Sequence, residues 1–178
     1  MLATGAILMK LLMLFSFFTD GFAYAGEALS GRFIGAQDAP MLHRSVRQVF
    51  AWSAGIALLF IGIYAVAGLP AVRLLTSDAE VVQASRQFLP WLLLMPPLGC
   101  AAFTWDGIFL GATASRGLMT SMAGAAAAFF AVWYTGRWLL QPAGATAIHL
   151  LFAAYFAHLA FRTVWLTLRY RKEVLGRL

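Results

Sequence analysis

Two carboxylates lie within one apolar stretch near the start of the 178-residue sequence. Asp20 lies ten residues after Lys10, and Glu27 follows seven residues later, which places both carboxylates on one face if the stretch is helical. Ser16 and Tyr24 lie four residues before and four residues after Asp20, so they share that face. At ~1.5 Å per residue, the four polar groups form a line about 16 Å long. A line of donors and acceptors in an apolar setting is what a path for protons or cations requires.

A third carboxylate, Asp106, lies in the apolar run from Trp105 to Thr113. An ionised side chain at the centre of a bilayer costs about 2.5–3.5 kcal/mol on insertion scales, so such groups face other helices and usually have a function. A carboxyl group that alternates between a proton and a bound cation is a physical basis for antiport. The competing interpretation is that Asp106, Asp20 and Glu27 only form hydrogen bonds with neighbouring helices.

The other polar groups in apolar stretches predict neither a catalytic site nor a metal site. His149 and His158 are nine residues apart, which places them on opposite faces of a helix and argues against a paired metal site. His158 and Arg162 share a face, and we expect them to be satisfied at the membrane interface rather than in a cavity. The sequence has no spacing typical of a catalytic triad, a zinc site or a phosphate-binding glycine loop. We therefore expect no enzyme activity and no cofactor.

Composition predicts that membrane-spanning helices carry these residues. Apolar residues make up 62% of the chain and charged residues 11%, whereas soluble domains have about 45–50% and about 25%. Five apolar stretches each approach or exceed the ~20 residues that cross a bilayer. The predicted fold class is therefore all-α, a polytopic membrane helix bundle with five transmembrane helices. The predicted spans are residues 6–34, 46–68, 88–112, 117–138 and 144–168.

Proline and glycine indicate where these helices begin, end or approach one another. Pro96-Pro97 remove two backbone donors and should kink or break the third span. Gly107 and Gly111 would allow close helix approach, which is more often packing than function. Residues 77–80 are typical of an N-terminal cap and predict a short interfacial helix before the third span. Residues 142–144 should separate the fourth span from the fifth.

Basic residues are unevenly distributed between the two ends of the predicted spans. Eight lie on the side of the first connection, the third connection and the C-terminus, and four lie on the opposite side. The positive-inside rule then places the C-terminus in the cytoplasm, and five spans leave the N-terminus outside. This distribution fits a lipid bilayer and not nucleic acid as the partner. The eight are Arg32, Arg44, Arg47, Arg116, Arg169, Arg171, Lys172 and Arg177; the four are Lys10, Arg73, Arg86 and Arg137.

Two segments resemble the multidrug and toxic compound extrusion (MATE) transporters. Residues 20–36, Asp-Gly-Phe-Ala-Tyr-Ala-Gly-Glu-Ala-Leu-Ser-Gly-Arg-Phe-Ile-Gly-Ala, resemble the eighth helix of this family and the turn after it. Residues 105–113 resemble the tenth helix, particularly in the subfamily related to the DNA-damage-inducible protein F. The resemblance covers nearly the whole chain. It implies that residues 1–178 correspond to helices 8–12 of a twelve-helix protein, which form part of its C-terminal lobe.

The resemblance also implies a function and its residues. Members export cationic or amphipathic small molecules in exchange for protons or sodium ions by alternating access between two lobes. Asp106 matches an acidic position that lines the C-lobe cavity, and Asp20 and Glu27 match acidic positions of the eighth-helix motif. A transient sodium ion would then lie at Asp106 or Asp20. The sequence has no counterpart of the N-terminal lobe, so we expect a fragment of a bacterial inner-membrane transporter that is inactive alone.

Two other functions fit the same residues. A flippase of the same superfamily, moving a lipid-linked or amphipathic substrate, would share the architecture, and a cavity rich in Phe and Met with few acidic residues would favour it. A small membrane assembly subunit that transports nothing would use the carboxylates only to hold helices together. The alignment of Ser16, Asp20, Tyr24 and Glu27 on one face argues against the subunit, since helix association does not require it.

Overall fold

A computed structural model describes residues 2–178, and the regular elements in that range are all helical. Five helical segments are long and apolar enough to cross a membrane, which confirms the predicted fold class. Short 3₁₀ turns at Arg86–Phe88 and Leu175–Arg177 complete the structure. The helices are α1 (Leu2–Gly35), α2 (Ala39–Leu75), α3 (Ala79–Ser85), α4 (Leu89–Gly111), α5 (Ser115–Leu140) and α6 (Ala145–Glu173).

The helices extend beyond the apolar stretches, most clearly in α2. This helix begins seven residues before the apolar stretch and ends seven residues after it. Asp38 fixes its start, because the side chain accepts a hydrogen bond from the backbone N–H of Met41 at 3.0 Å. Pro40 lies in the first turn of α2. Backbone N–H groups there have no hydrogen-bond partner within the helix, so the N–H that proline lacks costs no helical hydrogen bond. Hydropathy therefore marks the membrane-embedded part of a helix and not its ends.

The predicted helix cap at residues 77–80 and the predicted break at residues 142–144 are confirmed. Asp78 caps the short helix α3, since its Oδ1 accepts hydrogen bonds from the backbone N–H groups of Glu80 (2.9 Å) and Val81 (3.4 Å). α5 ends at Leu140 and is followed by Gln141, which adopts a left-handed backbone conformation (φ 42°). Gly144 also has a positive φ, 57°, immediately before α6 begins.

α4 continues through Pro96-Pro97, so of the two expected outcomes the break is wrong and the kink stays a prediction. A proline inside a helix costs about 3 kcal/mol or more. Met95 and Pro96 are buried, as are Leu92 and Gly99 on either side of them. The packing of this segment against neighbouring helices opposes the local cost and keeps the helix intact.

α4 lies at the centre of the bundle, where it contacts α1, α2 and α6, while α5 packs mainly on α6. Buried apolar side chains form two separate clusters along these helices, which we call the first core and the second core. The first core lies towards the starts of α1, α4 and α6, and the second lies towards the ends of α4 and α6. The first core includes Phe15, Phe60, Phe88, Met95 and Phe152, and the second includes Leu42, Trp105, Ile108, Phe109 and Leu166.

Two glycines let α4 approach α1 at backbone distance. A methyl group added to Gly107 would overlap the backbone carbonyl of Ala23, and one added to Gly111 would overlap that of Glu27. The expectation that these glycines serve packing is confirmed. This close approach brings the part of α4 that carries Asp106 beside the part of α1 that carries Asp20.

Candidate functional site

An ion pair links α4 to α6 near the middle of the bundle. The Arg162 guanidinium donates from Nη2 to Oδ2 of Asp106. Only 9% of the Arg162 side-chain surface and 25% of that of Asp106 are exposed. The two charges therefore lie on neighbouring helices and largely away from solvent.

The pair belongs to a band of buried or half-buried polar groups between the two cores, which we call the polar layer. The boundary between the cores falls between Ala102 and Trp105 on α4, with Asp106 directly after Trp105, and between Leu159 and Leu166 on α6. Thr104 donates a hydrogen bond to Ser53 of α2 at 2.9 Å, and Thr19 of α1 donates to its own helix at 3.1 Å. The polar layer consists of Thr19, Ser53, Thr104, Asp106 and Arg162.

The ion pair leaves two of its own polar atoms without a partner. Oδ1 of Asp106 and Nε of Arg162 are buried and form no hydrogen bond with the part of the chain that the structure describes. A carboxylate oxygen of this kind has lone pairs available for a proton or a cation. Unpaired buried polar atoms are rare in folded proteins and call for an explanation.

Asp20 lies beside the polar layer on α1. Its carboxylate is half-buried and close enough to Asp106 for the two charges to interact. Two like charges at short range disfavour each other, and the Arg162 cation offsets that repulsion. The structure thus brings two of the carboxylates that the sequence singled out close enough for their charges to interact, and one of them, Asp106, is paired with Arg162.

The rest of the predicted polar line on α1 runs along the edge of the packed face. Ser16 and Glu27 are half-buried, whereas Tyr24 is 70% exposed and points away from the bundle. Tyr24 lies a further ~40° round the helix than Asp20, because four residues turn a helix by about 400°. Only Asp20 of this line reaches the neighbourhood of the ion pair.

Arg162 is the residue of the candidate site that sequence reasoning misjudged. We expected it to be satisfied at the membrane interface with His158, but it is buried and paired with Asp106. His158 instead stacks on Tyr155, with ring planes 5° apart and centroids 6.4 Å apart. The sequence could have indicated this role, because Arg162 is a basic residue inside an apolar span. Such a charge normally has a buried counterion.

No group of three or more His, Cys, Asp or Glu side chains among residues 2–178 is arranged to hold a metal ion. The polar layer offers one carboxylate oxygen that no residue of the described range binds, and elsewhere the hydrogen-bonded hydroxyls of Ser53 and Thr104. Chemically, this arrangement suits weak and reversible binding of one monovalent cation or one proton, and not tight chelation of a transition metal.

Comparison with known proteins identifies the family of this chain. The family model described as MatE matches residues 1–135, which is more than half of the chain. The DNA damage-inducible protein F of Escherichia coli (strain K12) is 36% identical over 172 residues, which cover 97% of this chain. The matched region is 36% of that relative's length. No solved structure matches. The chain therefore belongs to the MatE family, whose members are membrane transporters and not enzymes.

Proposed function

We propose that this chain forms part of a secondary antiporter that exports cationic or amphipathic compounds in exchange for protons or sodium ions. Asp106 is the group that accepts the cation, and Arg162 is its internal counterion. The observation that carries this proposal is the buried pair itself, in which Asp106 keeps Oδ1 free within the polar layer.

Competition for one carboxylate gives a simple coupling mechanism. Arg162, an entering cation and a proton all compensate the same negative charge on Asp106. When a proton or sodium ion occupies the carboxylate, an exported cation loses its binding partner and is released. Because Asp106 can hold only one of the two ions at a time, binding of one ion promotes release of the other.

We further propose that a second helix bundle must join this one before a transport cycle can run. Alternating access moves one repeat or bundle against another around a central site. The five membrane helices described here pack around α4 as a single bundle. The E. coli relative is almost three times as long as the region it shares with this chain, which gives it room for a second bundle.

The proposal can be tested with a chimeric protein in which residues 1–178 replace the matching region of the E. coli relative. In proteoliposomes with an imposed proton or sodium gradient, we expect the chimera to move the fluorescent cation ethidium against its own gradient. The same vesicles containing only the 178-residue chain should move none. Asp106→Asn in the chimera should abolish gradient-driven movement, because the amide cannot bind a cation by charge.

The matched control is Asp78→Asn, which changes the same residue type at the cap of α3, far from the polar layer. It should transport normally. Export by the isolated chain would contradict the need for a second bundle. Transport by the folded Asp106→Asn chimera at the unmodified rate would contradict the proposed site, and movement of a labelled lipid in place of ethidium would favour the flippase.

A further inference from the structure

A basic cavity lies at the end of the bundle where the C-terminus meets the start of α5. Its volume is about 660 Å³. Four cationic side chains and one carboxylate line it, which gives a formal charge of +3. We call it the basic cavity; its charged residues are Arg116, Arg169, Lys172, Glu173 and Arg177.

Two of the four cations are held rigidly as walls of the cavity. Arg177 donates to the hydroxyl of Thr113 at 2.9 Å, to the Thr113 carbonyl at 3.2 Å and to the Glu173 carbonyl at 3.0 Å. Arg169 donates to the Glu173 carboxylate at 2.8 Å, and its guanidinium lies 4.7 Å from the centroid of the Trp165 ring. These contacts fix the shape of the basic cavity without a ligand.

The other two cations are uncommitted. The side chains of Arg116 and Lys172 are exposed, and neither forms an ion pair or hydrogen bond with any residue in the range 2–178. α5 begins at Ser115 with no side chain capping its first turn, so its free backbone N–H groups add positive potential at the same place. An anion entering the basic cavity would meet two free cations and these donors.

Exposed apolar side chains continue from the basic cavity towards the membrane interior. Met119 lies one turn after Arg116 on α5 and is 65% exposed, and Leu168 lies one turn before Lys172 on α6 and is 75% exposed. A basic headgroup site with an apolar surface one turn deeper matches a phospholipid, which carries a phosphate above acyl chains. A free phosphate ion would gain nothing from Met119 or Leu168.

We propose that the basic cavity binds the headgroup phosphate of an anionic phospholipid, with an acyl chain lying on the exposed surface between α5 and α6. Basic pockets between membrane helices are known to suit anionic headgroups. The opposite end of the bundle offers a contrast in charge: the cavity of about 720 Å³ there is lined by Arg86 and Glu80, whose charges cancel, and the cavity lined by Arg73 and Arg86 is about 390 Å³. The positive charge at the C-terminal end would thus serve lipid binding as well as orientation.

The test is native mass spectrometry of the purified 178-residue chain in detergent with added phosphatidylglycerol or phosphatidylcholine. We expect the chain to retain phosphatidylglycerol preferentially. Arg116→Gln combined with Lys172→Gln should reduce that preference roughly thirtyfold, on the scale of two surface basic residues. The control pair Arg73→Gln and Arg86→Gln removes the same charge from the opposite end and should leave the preference unchanged.

Three results would overturn the proposal. One is equal retention of phosphatidylglycerol and phosphatidylcholine by the unmodified chain, a result that can be obtained without any variant. Another is an equal loss of preference in the control pair, which would indicate general charge attraction. The third is full displacement of phosphatidylglycerol by an equal concentration of inorganic phosphate, which would make this a site for free anions. Circular dichroism of each variant checks that the helices are intact.

Discussion

Burying the charge of Asp106 or of Arg162 alone inside a membrane bundle costs free energy, and pairing the two charges lowers that cost for both. Removing one partner of a buried pair leaves an uncompensated charge, whereas replacing both by apolar residues is often neutral. This asymmetry separates the contribution of the pair to stability from its contribution to function. A pair retained for transport need not be the most stable solution for that position.

At the residue scale, Asp106→Asn should therefore destabilise the chain because it leaves Arg162 buried without a counterion. We expect a loss of about 3–5 kcal/mol, or somewhat less because the Asp106 side chain is 25% exposed. Combining Asp106→Leu with Arg162→Met should restore most of the loss. Thermal unfolding in detergent measures both. An Asp106→Asn variant as stable as the unmodified chain would mean that the pair is not buried as described.

Sequence reasoning found the carboxylates of the site but not their partner. Asp20 and Asp106 can be recognised in the sequence because burying a carboxylate within an apolar helix costs free energy wherever that helix lies in the bundle. Arg162 does not stand out in the same way, since long basic side chains often reach the membrane surface. Which helices are neighbours decides whether Arg162 meets Asp106, and hydropathy holds no information about that.

At the element scale, the approach of α1 to α4 decides where the carboxylates lie. The contact depends on Gly107, because a Cβ atom there would overlap the Ala23 backbone. Backbone cannot rotate away as a side chain can, so the helices would have to separate. The same contact holds Asp20 near Asp106.

Gly107→Ala should accordingly lower the stability of the bundle by about 1–3 kcal/mol, as overpacking typically does. Gly21→Ala is the matched control, since it adds the same methyl group to α1 where no atom lies within 4 Å. The control should be neutral or slightly stabilising, because alanine favours a helix. Thermal unfolding of the two variants in the same detergent compares them. Equal effects would show that the close approach is absent.

The prediction of the elements succeeded where local chemistry determines the outcome. The Asp78 cap and the break at residues 141–144 depend on side chains and backbone angles within a few residues. The helix does not break at Pro96-Pro97, one of the two outcomes predicted there, because the packing of Leu92, Met95 and Gly99 opposes the local preference. Local signals therefore predict ends of helices better than they predict breaks inside a packed one.

At the scale of the whole molecule, the distribution of basic residues indicates how the bundle is oriented in the membrane. The first connection, the connection between α4 and α5, and the C-terminus lie at one end, since Arg177 contacts both Gln37 and Thr113. Most of the basic residues lie at that end. We propose that this end faces the cytoplasm and that the chain resides in a bacterial inner membrane.

Single cysteines placed in a Cys100→Ala background test the orientation. Ala36→Cys and Arg171→Cys should react with a membrane-impermeant maleimide only in inverted vesicles, whereas Ser77→Cys and Ala143→Cys should react in right-side-out vesicles. All four positions are exposed, so access to the reagent depends on the side of the membrane. The reverse pattern would contradict the proposed orientation, and labelling of all four from one side would contradict the five spans.

Binding of a lipophilic cation such as tetraphenylphosphonium to the purified chain in nanodiscs tests the central claim most directly. If Asp106 accepts cations in competition with Arg162, the Asp106→Asn variant should bind more weakly, and Arg162→Gln should bind more tightly at alkaline pH. Binding to the unmodified chain should also weaken as the pH falls, because protonation removes the negative charge of Asp106. The same direction of change in both variants, or a pH dependence retained by Asp106→Asn, would contradict the account and leave the pair a structural link between α4 and α6.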